Sequence, residues 1–199
     1  MEVKAEMRAR RGRVEVIAGP MFAGKTEELI RRVRRAAIAG RAVQVFTHDL
    51  DRRDRVGSIS SHAGAAFPSA SAGSVEELRA LVRPETELLA VDEAQFFAAD
   101  IVPLTNELAL RGLDTIIAGL AVTFDGEPFE PVPSLMALAE RVDKLTAVCT
   151  ICGADAVYHQ RIVAPDSQPT ELVREHVGGL EKYEARCRLH FQTPGQLGG

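Results

Sequence analysis

The sequence predicts an α/β protein in which a parallel sheet carries helices on both faces and a small cysteine-bearing domain follows. Three observations support this prediction. Strand patterns alternate with helical patterns up to residue 147, an order typical of parallel sheets with helical crossovers. The stretch GPMFAGKT (19–26) follows the first strand and has the spacing of a phosphate-binding loop. All three cysteines lie beyond residue 148, where the alternation has ended.

The strands and helices of the first part are predicted from apolar periodicity. Short β-branched and apolar runs predict strands, and apolar residues at helical spacing predict helices. The strands are predicted at residues 13–18, 42–47, 88–91, 114–120 and 143–148. The helices are predicted at residues 25–39, from Ser74 onward, at 100–111 and at 134–141.

Local signals place several of these boundaries. Apolar residues of the first helix recur at helical spacing up to Gly40, which ends the helix. Ser74 opens the second helix, with Glu77 as its capping-box partner. Before Ser74, residues 48–73 are polar, glycine-rich and almost aperiodic. This stretch predicts a long, mobile loop, and such loops in compact domains are usually functional or disordered.

The composition is ordinary for a globular protein and excludes some functions. The chain has 199 residues, of which 46% are hydrophobic and 26% charged, and its net charge is −4. This acidic balance argues against broad binding to a nucleic-acid polymer, which needs a basic face. No apolar run approaches the ~18 residues of a membrane span, and the charged start MEVKAEMRARRGRVEV is unlike a signal peptide. We therefore expect a cytoplasmic protein without a membrane partner.

The phosphate loop predicts binding of a nucleoside triphosphate. Its glycines permit the backbone to wrap a phosphate with inward-pointing N–H groups, and the helix that follows adds its positive N-terminal end. The lysine can reach the β- and γ-phosphates, and the threonine hydroxyl can bind Mg²⁺. A chance match to the motif need not lie between a strand and a helix, whereas this loop follows a predicted strand and precedes a predicted helix. The residues expected at ATP are Gly19, Pro20, Met21, Phe22, Ala23, Gly24, Lys25 and Thr26.

Two acids follow the third predicted strand, in the stretch LLAVDEAQFF. In phosphate-loop proteins an acid at this place holds Mg²⁺. We expect Asp92 to serve the metal and Glu93 to act as a general base on an attacking hydroxyl. Without the loop upstream, the pair would be read as a solvated strand end.

The cysteines and one histidine predict a structural zinc site. Cys149-x-x-Cys152 and Cys187-x-x-His190 supply three thiolates and an imidazole, a complete tetrahedral set for Zn²⁺. His176 lies in the same region as His190 and is the alternative fourth ligand. The remaining histidines are interpreted as ordinary surface or loop residues: His48, His62 and His159.

The change of texture near residue 147 divides the chain into four predicted segments. Residues 1–11 are expected to form a disordered basic tail and residues 12–147 the phosphate-loop core. Residues 148–192 are expected to form the zinc-stapled domain, and residues 193–199 a flexible C-terminal tail.

Five stretches carry a family resemblance: GPMFAGKT, VDEAQFF, PF (128–129), LAERVDKLTAVCTICGADAVYHQR and GGLEKYEARCRLHF. In this order and spacing, over roughly residues 12–191, the chain resembles the type II thymidine kinases, the class with a zinc-bearing lasso domain. The resemblance implies a RecA-like phosphate-loop core. It also implies transfer of the γ-phosphate of ATP, with Mg²⁺, to the 5′-hydroxyl of thymidine or deoxyuridine.

The resemblance assigns roles to individual residues. It implies that Thr26 and Asp92 serve Mg²⁺, that Glu93 is the base, and that Gln95 belongs to the ATP site. It implies backbone contacts to the base from residues 178–183 and an Asp-x-Arg motif at residues 51–53. The residues assigned to the nucleoside are Phe96, Leu120, Phe124, Phe129, Gly178, Gly179, Tyr183, Asp51 and Arg53. A homotetramer inhibited by thymidine triphosphate is also implied.

The chain departs from the family pattern in GLAVTFDGEPF. Ala121 and Thr123 stand where the family usually has acids, which predicts a change in substrate preference or efficiency. Ala23 replaces a frequent serine, with little expected effect since the loop works through backbone N–H groups. His190 replaces the common fourth cysteine and still completes the zinc set.

Two other functions stay open at this point. One is a nucleotide-switched protein whose zinc module grips DNA or another protein, although the module lacks a basic stripe. The other is a degenerate relative that binds ATP and nucleoside as a sensor, because of Ala121 and Thr123. Thymidine-dependent ADP release separates a kinase from both.

Overall fold

The computed structural model describes residues 11–50, 58–60, 64–162 and 183–193. Its helices are α1 (Lys25–Ile38), α2 (Val75–Leu81), α3 (Ile101–Leu110) and α4 (Val132–Leu138), with a 3₁₀ turn at Ala94–Phe96. Its strands are β1 (Val14–Gly19), β2 (Val43–His48), β3 (Ser58–Ser60), β4 (Ala66–Pro68), β5 (Ala70–Ala72), β6 (Leu88–Val91), β7 (Asp114–Leu120), β8 (Arg141–Lys144), β9 (Ala147–Val148), β10 (Asp155–Ala156), β11 (Tyr158–Arg161) and β12 (Tyr183–Arg186).

Six strands form one parallel sheet in the order β5-β2-β6-β7-β1-β8. The predicted α/β class with a parallel sheet is confirmed. The carboxyl ends of parallel strands meet at one edge of a sheet, which is where ligands bind in open α/β folds. The phosphate loop follows β1, the two acids follow β6, and β7 lies between these strands. The topology therefore brings both sequence motifs to the same edge.

Helices cover both faces of the sheet, as predicted. On one face, Leu29, Ile30 and Val33 of α1 pack against Ile17 of β1. On the other face, α3 and α4 pack over the alternate residues of β1, with Val16 fully buried, and α2 joins the same apolar cluster next to β5. Fully burying a side chain such as Leu29 contributes about 1.5–3 kcal/mol to the stability of the fold. The two apolar layers therefore hold the strands, and with them the edge that carries both motifs, in place.

The helix boundaries follow from the predicted signals. Gly40 has a left-handed φ of 79° at the end of α1, and its N–H donates to the carbonyl of Ala37 at 2.9 Å. The hydroxyl of Ser74 accepts from the backbone N–H of Glu77 at 3.1 Å, so the predicted cap of α2 is confirmed. The Glu77 carboxylate accepts from the N–H of Gly73 at 2.8 Å, one residue earlier than a capping box requires.

Residues 48–73 were predicted to form a long, mobile loop, and the absence of strands that this implied was wrong for the residues that the structure describes there. Strands β3 and β4 form an antiparallel ribbon, and Ile59 is fully buried on the α1 side of the sheet. Strand β5 pairs with β2 and becomes the edge of the main sheet. Its sequence, ASA, is too short and its side chains too small to predict a strand, and backbone pairing with β2 places it there. Residues 51–57 and 61–63, with His62, lie outside the described residues.

The boundaries predicted between residues 134 and 148 were also wrong. Helix α4 begins at Val132. Pro133 fits its first turn, because the backbone N–H that proline lacks would have no partner within the helix at that position. Arg141 belongs to β8, which pairs with β1 in the register Glu15↔Arg141. The predicted strand at 143–148 is divided after Lys144, and β9 pairs with β10 instead of β1.

Two short ribbons follow the main sheet and pack against it. β9 pairs with β10 and β11 pairs with β12, both antiparallel. The rings of Tyr158 and Phe191 stack with centroids 4.3 Å apart. A side chain at Gly126 would meet Phe191 at 2.8 Å, so the turn after β7 lies directly on this ring. Among the described residues, the helices are too short or too polar to cross a membrane.

Candidate active site

The phosphate loop has the backbone that its sequence predicts. Gly24 has a left-handed φ of 80°, and a Cβ at Gly19 would lie 2.7 Å from the carbonyl oxygen of Leu145. Phe22 also has a positive φ, 67°, which is uncommon for a residue with a side chain and typical of functional loops. Lys25 is 9% exposed, and its ammonium donates to the Pro20 carbonyl at 2.7 Å. The lysine is thus held within the loop, where a triphosphate would be bound.

Asp92 lies beside the start of α1. It is 2% exposed, and the Thr26 hydroxyl hydrogen-bonds its carboxylate. Burial and the negative charge of Glu93 raise the pKa of Asp92 to about 7, although the Thr26 bond and the Lys25 charge oppose them. A cation would favour the ionised form. Carboxylate and hydroxyl oxygens are the ligands that Mg²⁺ prefers, so Thr26 and Asp92 fit this metal.

Glu93 is held at the turn that follows β6. Its backbone is left-handed, with a φ of 52°, and its N–H donates to Asp92 Oδ1 at 2.9 Å. Because of this turn, the two consecutive carboxylates have different partners: Asp92 bonds Thr26, and Glu93 bonds Gln95. Glu93 is 7% exposed, and its carboxylate accepts a hydrogen bond from the side-chain amide of Gln95.

Gln95 fixes the position of Glu93 relative to β7. The same amide accepts from the backbone N–H of Leu120 through Oε1 at 2.9 Å. Gly119 makes the close approach possible, because a Cβ there would lie 3.0 Å from Gln95 Oε1 and 2.7 Å from a methyl group of Val132. Gln95 was expected at the ATP site, and in the structure its amide joins Glu93 to Leu120.

An apolar cluster lies at the same edge of the sheet. Met21, Leu120 and Tyr183 are buried, and Phe22, Phe124 and Phe129 pack against them half-buried. The structure thus brings together four of the residues predicted for the nucleoside: Leu120, Phe124, Phe129 and Tyr183. Phe96 belongs to a different group, since its ring lies 6.0 Å from the ring of His48. Asp51, Arg53, Gly178 and Gly179 lie outside the described residues.

Two histidines interpreted as surface or loop residues are buried, so those interpretations were wrong. His48 is 7% exposed at the end of β2 and packs edge-on against Phe97, with ring centroids 4.7 Å apart. His159 is 3% exposed in β11 and packs edge-on against Tyr183 at 5.7 Å. Sequence reasoning missed His159, although it lies in one of the stretches that carry the family resemblance. The sequence YHQR is mostly polar and therefore does not predict a buried strand, although β11 packs against the core.

The residues that depart from the family pattern have local structural roles. Ala121 is 8% exposed and belongs to the main apolar core. The backbone N–H of Thr123 donates to the carbonyl of Glu127 at 2.8 Å, and the Thr123 hydroxyl accepts from the N–H of Glu127 at 3.2 Å. Ala121 therefore packs in the core, and Thr123 stabilises the turn after β7. Ala23 packs with Phe22 against the apolar residues around the cysteines.

Three cysteines and a histidine form a cluster whose ligand atoms all lie within 4.8 Å of one another. The Sγ atoms of Cys152 and Cys187 are 3.7 Å apart, and Nδ1 of His190 lies 3.7 Å from Cys149 Sγ and 3.3 Å from Cys187 Sγ. In tetrahedral zinc sites with Zn–S bonds of about 2.3 Å, sulfurs lie about 3.8 Å apart. Both the spacing and the donor set fit a zinc ion.

The surroundings of Cys149 favour its thiolate form, whereas the neighbouring sulfurs of Cys187 and Cys149 help to raise the pKa of Cys152. Burial raises the pKa of the Cys149 thiol, but backbone N–H groups of Cys187, Ile151 and Cys152 outweigh it and lower that pKa to about 5. The thiolate is the form of cysteine that binds metals. His190 completes the set among the described residues, whereas His176 lies outside them.

Comparisons with known proteins agree with this site. A family model described as thymidine kinase matches residues 12–191. The chain is 47% identical to a thymidine kinase of Deinococcus deserti, over 90% of this chain and 94% of that protein. It is 46% identical to a thymidine kinase of Bdellovibrio bacteriovorus, over 92% and 86%, and 42% identical to one of Coprothermobacter proteolyticus, over 93% of each.

Proposed function

The chain belongs to the thymidine kinase family, and we propose that it transfers the γ-phosphate of ATP to the 5′-hydroxyl of thymidine or deoxyuridine. The observation that carries this proposal is the placement of Glu93. The bond from Gln95 anchors its carboxylate to Leu120 of the apolar cluster, while Asp92 beside it bonds Thr26 of the phosphate loop. A base between a triphosphate site and a nucleoside site is what phosphoryl transfer to a hydroxyl needs.

The phosphate loop binds and orients the donor in this proposal. Its backbone N–H groups and the Lys25 ammonium stabilise the negative charge of the triphosphate. Thr26 and Asp92 would hold Mg²⁺, which supplies further positive charge at the phosphates when bound. We place Pro20, Met21, Phe22 and Ala23 in the part of the loop that surrounds the phosphates of ATP.

Glu93 acts on the acceptor. Its carboxylate removes the proton of the 5′-hydroxyl as the oxygen bonds to the γ-phosphorus, while the bond from that phosphorus to the β–γ bridging oxygen breaks and ADP leaves. Gln95 is a positioning residue, because it orients the Glu93 carboxylate without contacting the reacting atoms. The apolar residues Leu120, Phe124, Phe129 and Tyr183 bury the faces of the base and exclude water, which would otherwise compete as acceptor.

Zinc has a structural role in this proposal. Cys149, Cys152, Cys187 and His190 would hold it with no ligand position left for water, as in structural sites. The small apolar cluster around the cysteines contacts Phe22 and Ala23 of the phosphate loop. Zinc bound there would support the ribbons that carry His159 and Tyr183 to the active site. From the family resemblance we also propose a homotetramer that thymidine triphosphate inhibits.

ADP release from Mg·ATP, with and without thymidine, tests the proposed function. We expect strong stimulation by thymidine and deoxyuridine and none by the matching ribonucleosides. A protein that binds ATP and contains zinc but shows no stimulation would instead be a sensor, with Ala121 and Thr123 as the first residues to restore to acids. Nucleotide-dependent capture of DNA without thymidine stimulation would indicate the switch function.

A further inference from the structure

His159 lies between the charged residues of the site, Lys25 and Glu93, and the apolar cluster that contains Tyr183. Its ring is buried in β11 and packs edge-on against Tyr183, a member of the apolar cluster. It also lies close enough to Lys25 and Glu93 for both charges to act on its pKa. His159 therefore lies near both the phosphate-loop lysine and the apolar cluster proposed for the nucleoside.

One ring nitrogen of His159 has no hydrogen-bond partner in the part of the chain that the structure describes. The atom is Nδ1, and it is buried. A buried polar atom left unpaired costs about 1–3 kcal/mol, so native proteins almost always pair such atoms. A ligand bound beside Tyr183 would supply the missing partner.

The charge state of His159 suits a neutral hydrogen bond. Burial, followed by the positive charge of Lys25, lowers the pKa of His159 to about 4, against a smaller opposing effect of Glu93. The imidazole is therefore neutral at physiological pH and carries one N–H. It can donate a hydrogen bond without adding a charge next to Lys25.

We propose that Nδ1–H of His159 donates a hydrogen bond to an oxygen of the bound nucleoside, which makes His159 a specificity-determining residue of this kinase. The inference rests on the proposed function. The oxygen is a carbonyl of the base or the 3′-hydroxyl of the sugar, since Glu93 acts on the 5′-hydroxyl in the proposed function. Tyr183 holds the imidazole ring in the required orientation.

Two variants at this position separate hydrogen bonding from packing. His159→Leu keeps an apolar side chain against Tyr183 but removes the donor, and His159→Asn keeps a donor near the place of Nδ1. For His159→Leu we expect the KM for thymidine to rise about 10-fold, the value of one neutral hydrogen bond, with kcat and the KM for ATP within about 3-fold of the parent. His159→Asn should stay within about 3-fold in all three constants. Equal KM values for thymidine in the parent and the Leu variant would overturn the proposal.

Nucleoside analogues identify the oxygen. If His159 binds the sugar, the parent and the Leu variant will use 3′-deoxythymidine with equal KM values. If it binds the base, they will become equal with 2-thiothymidine or 4-thiothymidine, because sulfur is a weaker acceptor. A full difference between the two proteins with all three analogues would contradict a hydrogen bond to a base carbonyl or to the 3′-hydroxyl, and with it the proposal.

A measurement on the unmodified enzyme does not depend on the folding of any variant. In protein labelled with ¹⁵N-histidine, the Nδ1 resonance of His159 should shift when thymidine is added and stay unchanged when ATP alone is added. An unchanged resonance at saturating thymidine would overturn the proposal. If the parent enzyme turns over thymidine normally in that sample, the proposed function stands while the inference fails; if it does not turn over thymidine, the proposed function itself fails.

Discussion

The side-chain amide of Gln95 donates a hydrogen bond to the carboxylate of Glu93. Its carbonyl oxygen is committed at the same time to the backbone N–H of Leu120, at 2.9 Å. The amide therefore cannot rotate freely, and the Glu93 carboxylate is fixed relative to the central strand of the sheet. In the proposed function this relationship separates two roles: Glu93 would act on the substrate, and Gln95 would position Glu93.

Replacing Glu93 by Gln should remove the proposed base while keeping the size of the side chain. We expect kcat for thymidine to fall about 10²–10⁴-fold, the usual range for a general base, with ATP affinity unchanged because the phosphate loop is intact. Glu76→Gln on the exposed start of α2 is the matched control and should be silent. Near-normal turnover of Glu93→Gln would exclude Glu93 as the base.

Replacing Gln95 by Leu should reduce both catalysis and stability. The Leu120 N–H loses its partner, which costs about 1–3 kcal/mol, and Glu93 loses its orienting donor, which we expect to lower kcat about 10–100-fold. Gln44→Leu is the control for stability, since Gln44 similarly bridges Arg83 N–H at 2.7 Å and the Leu81 carbonyl at 3.1 Å. Urea unfolding and steady-state kinetics on both variants distinguish the effects. A Gln95→Leu enzyme that is destabilised but has normal kcat would contradict the positioning role.

Zinc content tests the choice between the two candidate histidines. We expect about one zinc per chain in the unmodified protein and in His176→Ala, and loss of zinc in His190→Ala, because His190 Nδ1 lies among the three sulfurs. Loss of zinc should also lower the melting temperature, since the ribbons have little apolar core of their own. Elemental analysis with a melting curve is sufficient. A zinc-replete His190→Ala protein would show that another residue is the fourth ligand.

Acid should destabilise the fold through His159. Its pKa is lowered to about 4 in the folded protein from 6.5 in the unfolded chain, so protons bind preferentially to the unfolded chain. This destabilisation is absent above about pH 6.5 and grows as the pH falls toward 4. Between pH 6.5 and pH 5 it amounts to about 2 kcal/mol.

His159→Asn removes the titrating group and provides the comparison. Between pH 7.5 and pH 5, the free energy of unfolding should fall by about 2 kcal/mol more in the parent than in His159→Asn. Both proteins carry Lys25, Glu93 and the cysteine cluster, so effects of pH on those groups cancel in the difference. Parallel stability curves for the two proteins would show that His159 titrates normally.

The sequence by itself determined the features that depend on contiguous residues. The phosphate loop, the acid pair after a strand, the cap at Ser74 and the two cysteine knuckles each lie within a few residues, where local backbone geometry sets the pattern. The alternation of strands and helices likewise fixed the α/β class. These signals were enough to place the chemistry on a phosphate-loop protein.

The tertiary structure alone decided what depends on residues far apart in the chain. The bond between Gln95 and Leu120, the burial of His159 beside Lys25, and the sheet position of β5 and β8 are such contacts. They follow from the strand order, which sets which elements become neighbours, and no local periodicity encodes that order. His159 therefore looked like a surface residue in sequence and became a buried donor only once β11 was packed against the site.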